Sequence, residues 1–221
     1  MNNQWDIIGG EGLQFFGKMS ASISHEIKNV LAIINENTGL IEDYTIMTEK
    51  GAHFDPGKFK SLAEKIGAQI RRADEIVRNM NAFAHSIDEP AKSIDLSDFL
   101  EFSQALFVRF AVMRGIRLES ELTESALMIT TSPFFLLNLT WLCLDFAMDA
   151  AGSGKAVGLS ARKRDIGAQI GFTGLKALGE ALSGEFPGEK EKPLLELLKA
   201  EIEIDQERGE IMLNLPGDMA R

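Results

Sequence analysis

The chain has 221 residues, 45% of them hydrophobic and 25% charged, and it carries a formal net charge of −10 with a pI near 4.9. This length favours one or two domains, and the composition is that of a soluble globular protein with a core of good size. The acidic balance argues against nucleic acid or an anionic membrane surface as the partner, because both require basic patches.

The single cysteine, Cys143, excludes an internal disulfide and fits a reducing cytoplasm. It lies in an apolar run, so we expect it to pack as a small hydrophobic residue rather than act as a reactive thiol. The N-terminal residues lack the pattern of a signal peptide. The longest apolar stretch, 133–148, contains Asn138, Thr140 and Asp145 and is too short to span a bilayer. We therefore expect a soluble, cytoplasmic protein.

The first third of the chain has the apolar spacing of two long helices. Apolar residues three, four or seven apart from Phe16 to Ile41 predict a helix over about Gly12–Thr48. A turn-rich segment, Lys50–Gly57, follows. A second apolar seam, from Phe59 to Ala84, ends near Asp88–Pro90. The seam residues are Phe16, Met19, Ile23, Ile27, Val30, Ile34 and Ile41 on the first helix, and Phe59, Leu62, Ile66, Ile70, Ala73, Val77, Met80 and Ala84 on the second.

Two long helices joined by a short loop form an antiparallel helical hairpin. A hairpin alone cannot bury a full core, whereas two copies can combine into a four-helix bundle. We therefore expect a homodimer.

The rest of the chain mixes strands with helices, which predicts an α+β fold: a hairpin over residues 1–90 and an α/β sandwich over residues 91–221. The predicted elements are a helix Phe99–Arg114 that Asp95 caps and Gly115 ends, a half-buried strand Ile116–Leu122, a buried helix Pro133–Ala151, strands Lys155–Arg162 and Ile166–Phe172, a helix Pro193–Ala200, and strands Glu201–Asp205 and Glu210–Leu215.

The segment 24–29 places an imidazole, a carboxylate and an amide on the first helix. At about 100° per residue, His25 lies about 200° from its seam neighbours Ile23 and Ile27, on the face opposite the core. Asn29 stacks one turn above His25, and Glu26 falls nearer the outer face. An exposed imidazole is substantially neutral near pH 7, so it can act as a nucleophile that accepts a phosphoryl group and passes it on.

A surface histidine beside a glutamate is most often only part of a solvated helix face. We interpret His53, in the turn, and His85, near the end of the second helix, in that way.

A resemblance sets His25 apart. The sequence Ser24-His25-Glu26-Ile27-Lys28-Asn29 resembles the H-box of sensor histidine kinases, which lies on the first helix of their dimerisation and phosphotransfer hairpin. The segment Arg71–Ala84 resembles the second helix of that hairpin. From Asp95 onward, the order of elements resembles the family's ATPase domain with much lower specificity. One departure is Val30, where the family often has proline.

The resemblance implies that His25 is the phosphoacceptor and that Glu26 polarises or orients the imidazole. Asn29 matches the position that orients the attacking water or the phosphoryl group in kinases with phosphatase activity. The implied partners are response-regulator receiver domains, which would dock near His25. Small residues one or two turns away would leave room for them: Ala21, Ser22 and Ala32.

Parts of the family's ATP site are missing. Asp145 stands where that family has a metal-binding asparagine, and the stretch 173–179 lacks the aspartate that reads adenine. The glycine-containing stretch 179–188 carries Glu180 and Glu185, and Glu189 follows it, so a phosphate group would be repelled. We therefore expect no ATP and no other cofactor on this chain, with Mg²⁺ on the partner receiver.

The sequence thus predicts a histidine phosphotransferase of a phosphorelay, which moves phosphate between receiver aspartates through His25 without using ATP. Three alternatives stay open. They are a receiver phosphatase that uses Glu26 and Asn29, a non-catalytic module that binds a regulator, and an ATP-dependent kinase.

Overall fold

Two long helices, α1 (Asn2–Glu49) and α2 (Pro56–His85), begin the chain in this computed structural model. The structure describes residues 2–53, 55–121, 126–152, 156–182 and 184–219. By internal contacts the chain forms two compact units. One is Lys18–Ala82, and the other combines Met1–Gly17 with Phe83–Arg221. The first unit is called the hairpin unit below, and the second the sheet unit.

The helix α1 begins at Asn2, well before the predicted start at Gly12. Gly9 and Gly10 have low helix propensity, which made this segment look non-helical. The side chains of Ile8 and Phe15 are nevertheless buried, each only 3% exposed. Burial of apolar side chains outweighs the cost of glycine in a helix, so α1 continues through the segment.

The turn between the helices matches the prediction at Lys50–Gly57. Pro56 opens α2, and the Asp55 carboxylate accepts a hydrogen bond of 2.9 Å from the Gly57 N–H. Proline fits the first helical position because its missing N–H would have no partner there. The rings of Tyr44 and Phe59 lie 6.3 Å apart and bring the two helices together next to the turn.

In the second half of the predicted α2 seam, three residues are exposed within the single chain. Ile70, Val77 and Met80 are 49%, 42% and 39% exposed, whereas Ile76 and Phe83 are buried. An α-helix has about 3.6 residues per turn, so a straight heptad stripe drifts around the helix relative to the buried face. The second helix therefore has two apolar faces, one buried within the chain and one open.

The remaining elements follow in order. They are β1 (Lys92–Asp95), α3 (Leu96–Met113), β2 (Arg117–Glu121), β3 (Met128–Thr131), α4 (Pro133–Ala150), β4 (Ala156–Lys163), β5 (Ala168–Thr173), α5 (Leu178–Ala181), α6 (Glu191–Leu198), β6 (Glu201–Asp205) and β7 (Glu210–Leu215).

The main sheet has five strands in the order β2-β4-β5-β7-β6. The β2–β4 pair is parallel and the other neighbours are antiparallel. Helices α3 and α4 contact this sheet. Apolar side chains from the three central strands are at most 1% exposed and form its share of the core: Leu159, Ala161, Ile170, Phe172, Ile211 and Leu213.

The predicted α+β class, a helical hairpin followed by helices and a mixed sheet, is confirmed. Asp95 caps α3 as predicted, because its carboxylate accepts a hydrogen bond of 2.9 Å from the Ser97 N–H. Gly115 has φ +68° just after α3, a backbone conformation that favours glycine.

Three short elements were missed: β1, β3 and α5. The strands β1 and β3 have four residues each and pair with one another in a small antiparallel sheet, and Thr130 of β3 also forms an isolated parallel bridge with Asp218. The helix α5 is a single turn. Such short segments carry too few residues to show a period. The strand β2 is also more exposed than predicted, because it is an edge strand in which only Leu118 is half-buried.

Aromatic side chains hold the core of the sheet unit near the ends of the two long helices. The ring centroid of Phe15 lies 5.6 Å from that of Phe83, 5.7 Å from that of Phe134 and 6.4 Å from that of Phe107. Phe83 also stacks on Phe16 at 5.3 Å. Edge-to-face and stacked pairs of this kind add to the area that the rings bury.

Among the described residues, α4 is the one helix long and apolar enough to cross a membrane. It is 72% buried inside the protein, as the core helix of a soluble domain is. Its burial explains why its sequence is almost continuously apolar.

We predict that Phe83→Ala lowers the free energy of unfolding by about 3–5 kcal/mol, because the cavity removes ring contacts to Phe15, Phe16 and Phe134. Urea denaturation followed by circular dichroism measures the change. Val112→Ala is the matched control, since Val112 lies on α3 and is 67% exposed. We expect it to change stability by less than about 0.5 kcal/mol. Equal effects of the two substitutions would contradict the assignment of Phe83 to the core.

Candidate functional site

His25 lies near the middle of α1, in the hairpin unit, and its side chain is exposed. The seam residues Ile23 and Val30, on either side of it, are 7% and 1% exposed. The helix is thus fixed by burial on one face while the imidazole faces solvent on another. Among the described residues, the imidazole of His25 has no hydrogen-bond partner, so both ring nitrogens are accessible.

Asn29 is exposed on the same helix, four residues after His25, where helical geometry places it one turn away. Glu26 differs from the expectation, because it is half-buried rather than on the outer face. Its position, about 100° around the helix from His25, turns it towards the buried side. The structure therefore brings His25 and Asn29 together on the open face, with Glu26 beside them at the edge of the core.

The surface around His25 has small side chains. Ala21 and Ala32 are exposed as expected, whereas Ser22 is 4% exposed and belongs to the core. The two alanines leave room beside the imidazole for another protein to approach closely. Ser22 does not contribute to that surface.

Ideal helical geometry predicts a cation on α2 at the height of His25. Tyr44 and Phe59 are level, because their rings are in contact. His25 precedes Tyr44 by 19 residues (44 − 25), or about 28 Å along the helix. The same step along the antiparallel α2 (59 + 19) leads to Arg78, which is exposed. A guanidinium at this height is suited to a transferred phosphoryl group.

Asp145 stands at the position where sensor histidine kinases have an asparagine. Within the sheet unit, its carboxylate is bound by the side chain of Arg114. The Arg114 guanidinium donates to its carboxylate at 2.7 Å and to its backbone carbonyl at 3.0 Å. It also lies 3.3 Å from the Asp149 carboxylate. A cation that bound Asp145 would have to displace this guanidinium. Among the described residues, no group of three or more His, Cys, Asp and Glu side chains is placed to hold a metal ion.

The stretch after β5 is built from apolar contacts. Leu175 and Leu178 are 2% and 1% exposed, and the Ala177 N–H donates to the Ala150 carbonyl at 2.8 Å. Further on, the ring of Phe186 stacks on that of Phe146, with centroids 4.0 Å apart. This segment of the chain thus contains buried leucines and a ring stack. The resemblance to sensor histidine kinases would place nucleotide-binding polar groups in the same segment.

The acidic residues in and after α5 are exposed and partly paired. Glu185 accepts a hydrogen bond from Lys192, and this ion pair lowers the pKa of the Glu185 carboxyl. Glu180 and Glu189 are also exposed, so all three carboxylates predicted to repel phosphate face solvent. Negative charge concentrated along this stretch is unfavourable for a polyphosphate.

Two features of the site region were missed by sequence reasoning. One is Arg114, whose partners are about thirty positions away in sequence, so that no local pattern could reveal them. The other is a hydrogen bond between His85 and Asp88, with Nδ1 and Oδ2 2.7 Å apart. Their spacing of three residues at a helix end is a visible signal for such a pair.

Cys143 is completely buried on α4, and this burial raises the pKa of its thiol far above the ordinary range, with the charge of Glu191 adding to the effect. The thiolate is the reactive form, so the raised pKa suppresses reaction at neutral pH.

We predict that a thiol reagent such as Ellman's reagent leaves the folded protein unmodified at pH 8. It should modify Cys143 after denaturation in guanidinium chloride, when water reaches the thiol. Absorbance of the released thionitrobenzoate measures both states. Rapid reaction in the native state would show that Cys143 is accessible.

Comparisons with known proteins give only distant matches. No protein-family model matches the sequence, and no curated protein matches it. Among solved structures, the Acinetobacter baumannii histidine kinase AdeS is 15% identical with a TM-score of 0.46, over 87% of this chain and 98% of that one. A bacterial phosphotransferase is 17% identical with a TM-score of 0.44, over 90% and 95%.

A third structure contains the histidine kinase ThkA in complex with the response regulator TrrA. It is 14% identical with a TM-score of 0.42, over 95% of this chain and 64% of that one. At these identities and TM-scores, the similarity does not establish a function for this chain.

Proposed function

We propose that this chain is a histidine phosphotransferase of a two-component phosphorelay, which carries phosphate between receiver aspartates on His25. The observation that carries the proposal is the exposed imidazole of His25 within an H-box-like segment, with Asn29 one turn away on the same open face. Residues 1–90 would perform dimerisation and phosphotransfer. Residues 91–221 would form a degenerate ATPase-like domain.

In the transfer step, a ring nitrogen of His25 attacks the phosphorus of an aspartyl phosphate. The nitrogen–phosphorus bond forms while the bond to the aspartate oxygen breaks, and the receiver regains its carboxylate. Transfer to a second receiver is the reverse reaction. Glu26 would orient the imidazole from the edge of the core, and Mg²⁺ would be held by the receiver.

The phosphate comes from a partner in this proposal because the region that would bind ATP is occupied by the protein's own side chains. Arg114 binds the Asp145 carboxylate, and Leu175 and Leu178 are buried after β5. The partners would be response-regulator receiver domains. Since these work in the cytoplasm, we propose the same location for this chain.

We predict that purified receivers carrying ³²P-phosphate on their aspartate label this chain at His25 without added ATP. His25→Gln should abolish the label at this site, because it removes the nucleophile, whereas His53→Ala should keep it. The measurement is label transfer on gels, with the modified residue mapped by mass spectrometry. Absence of label on the wild type across a panel of receivers would falsify the proposal, as would labelling by ATP alone.

The same experiment separates the alternatives. A receiver phosphatase releases inorganic phosphate faster without stable label, and Asn29→Ala abolishes that release. A binding module forms a receiver complex that His25→Gln leaves intact, and it moves no phosphate.

We also propose that the chain acts as a homodimer, because apolar side chains are left open on both helices of the hairpin unit. On α2 the exposed apolar residues lie within about 80° of one another around the helix, and an exposed apolar face of this kind is characteristic of an interaction surface. The exposed residues are Leu31, Leu40, Ile46 and Met47 on α1, and Ile70, Val77 and Met80 on α2.

We predict that Val77→Glu raises the dimer dissociation constant at least about tenfold, equivalent to about 1.4 kcal/mol, because it places a charge on the open apolar face of α2. Sedimentation equilibrium measures the change. Ala68→Glu is the matched control, since Ala68 is exposed on another face of the same helix. A monomeric wild type, or equal effects of the two substitutions, would contradict the proposal.

A further inference from the structure

The end of α2 carries a second imidazole that differs from His25 in its surroundings. The Nδ1 atom of His85 lies 2.7 Å from Oδ2 of Asp88, and both side chains are open to solvent, 77% and 60% exposed. The turn that ends α2 fixes the distance, because the Asp88 N–H donates to the His85 carbonyl at 3.2 Å. A carboxylate is thus held against one ring nitrogen while the other nitrogen is exposed.

This geometry selects one tautomer of the neutral His85 imidazole. An ionised carboxylate only accepts hydrogen bonds, so Nδ1 carries the proton and donates it to Asp88. The lone pair is then on Nε2, which points away from this hydrogen bond. Among the described residues, His53 is exposed and has no such carboxylate partner, so its ring is not held in one form.

We propose that His85 is a second nucleophilic histidine, which accepts a phosphoryl group on Nε2 from donors of the acyl phosphate or phosphoramidate class. Asp88 is its positioning residue. This site goes beyond the function proposed above and does not depend on His25.

The phosphoryl transfer to His85 needs no reactant besides the donor. The Nε2 lone pair forms the bond to phosphorus, and the bond from phosphorus to the leaving group breaks with its electron pair. The leaving group departs as a carboxylate from an acyl phosphate, or as ammonia from phosphoramidate. No proton leaves the ring. The product is a phosphoimidazolium whose Nδ1–H remains hydrogen-bonded to Asp88, and the charge of the carboxylate stabilises this cation.

The test uses the full chain with His25→Ala and potassium phosphoramidate as the donor. We expect His85 to be phosphorylated about two- to fivefold faster than His53, the range that an exposed charge pair gives. Quantitative mass spectrometry of the peptides at neutral pH follows both sites in the same sample. Adding Asp88→Asn should reduce the rate at His85 to that at His53, and Asp88→Glu should restore it.

Nitrogen NMR provides a readout that a purely structural role of Asp88 would not move. In ¹⁵N-labelled protein with neutral imidazoles, long-range proton–nitrogen correlations should show the proton of His85 on Nδ1, and Asp88→Asn should shift it towards Nε2. The thermal midpoint should stay within a few degrees of that of the parent chain, because the pair is exposed. Equal rates at His85 and His53, no effect of Asp88→Asn on the rate, or a proton mainly on Nε2 would each overturn the proposal.

Discussion

The contact between Phe15 and Phe83 is the constraint on which the arrangement of the sheet unit depends. It joins the beginning of α1 to the end of α2, and both rings also lie against Phe134 on α4. Ile8 and Phe15 are buried near the start of α1, and this burial outweighs the cost of Gly9 and Gly10 in a helix. The helix α1, which carries His25, is therefore continuous from Asn2 to Glu49.

In the hairpin unit, one helix has both a buried and an exposed apolar face. Its second helix has more apolar residues than one buried face can hold, so Ile70 and Val77 remain open while Ile76 is buried. The open face is costly to leave in water, and a second copy of the chain would cover it. The unit thus leaves two kinds of surface available, an apolar face on the helices and a polar face around His25.

In the sheet unit, by contrast, polar side chains bind each other. Arg114 forms ion pairs with Asp145 and Asp149, and buried leucines follow β5. In contrast, His25 has no partner among the described residues, so its ring is open to a reaction with another protein. The hydrogen-bonded pair of His85 and Asp88 lies between these cases, since one ring nitrogen is engaged and the other is exposed.

The sequence by itself determined the two long helices, the α+β class, the cap at Asp95 and the exposure of His25, because each follows from local spacing or from a residue beside the feature. It did not determine which apolar face of α2 is buried, since several registers fit the same pattern. Only the tertiary structure decided that face, the half-buried position of Glu26 and the pairing of Arg114 with Asp145. These depend on side chains that are distant in sequence and meet only when the chain packs.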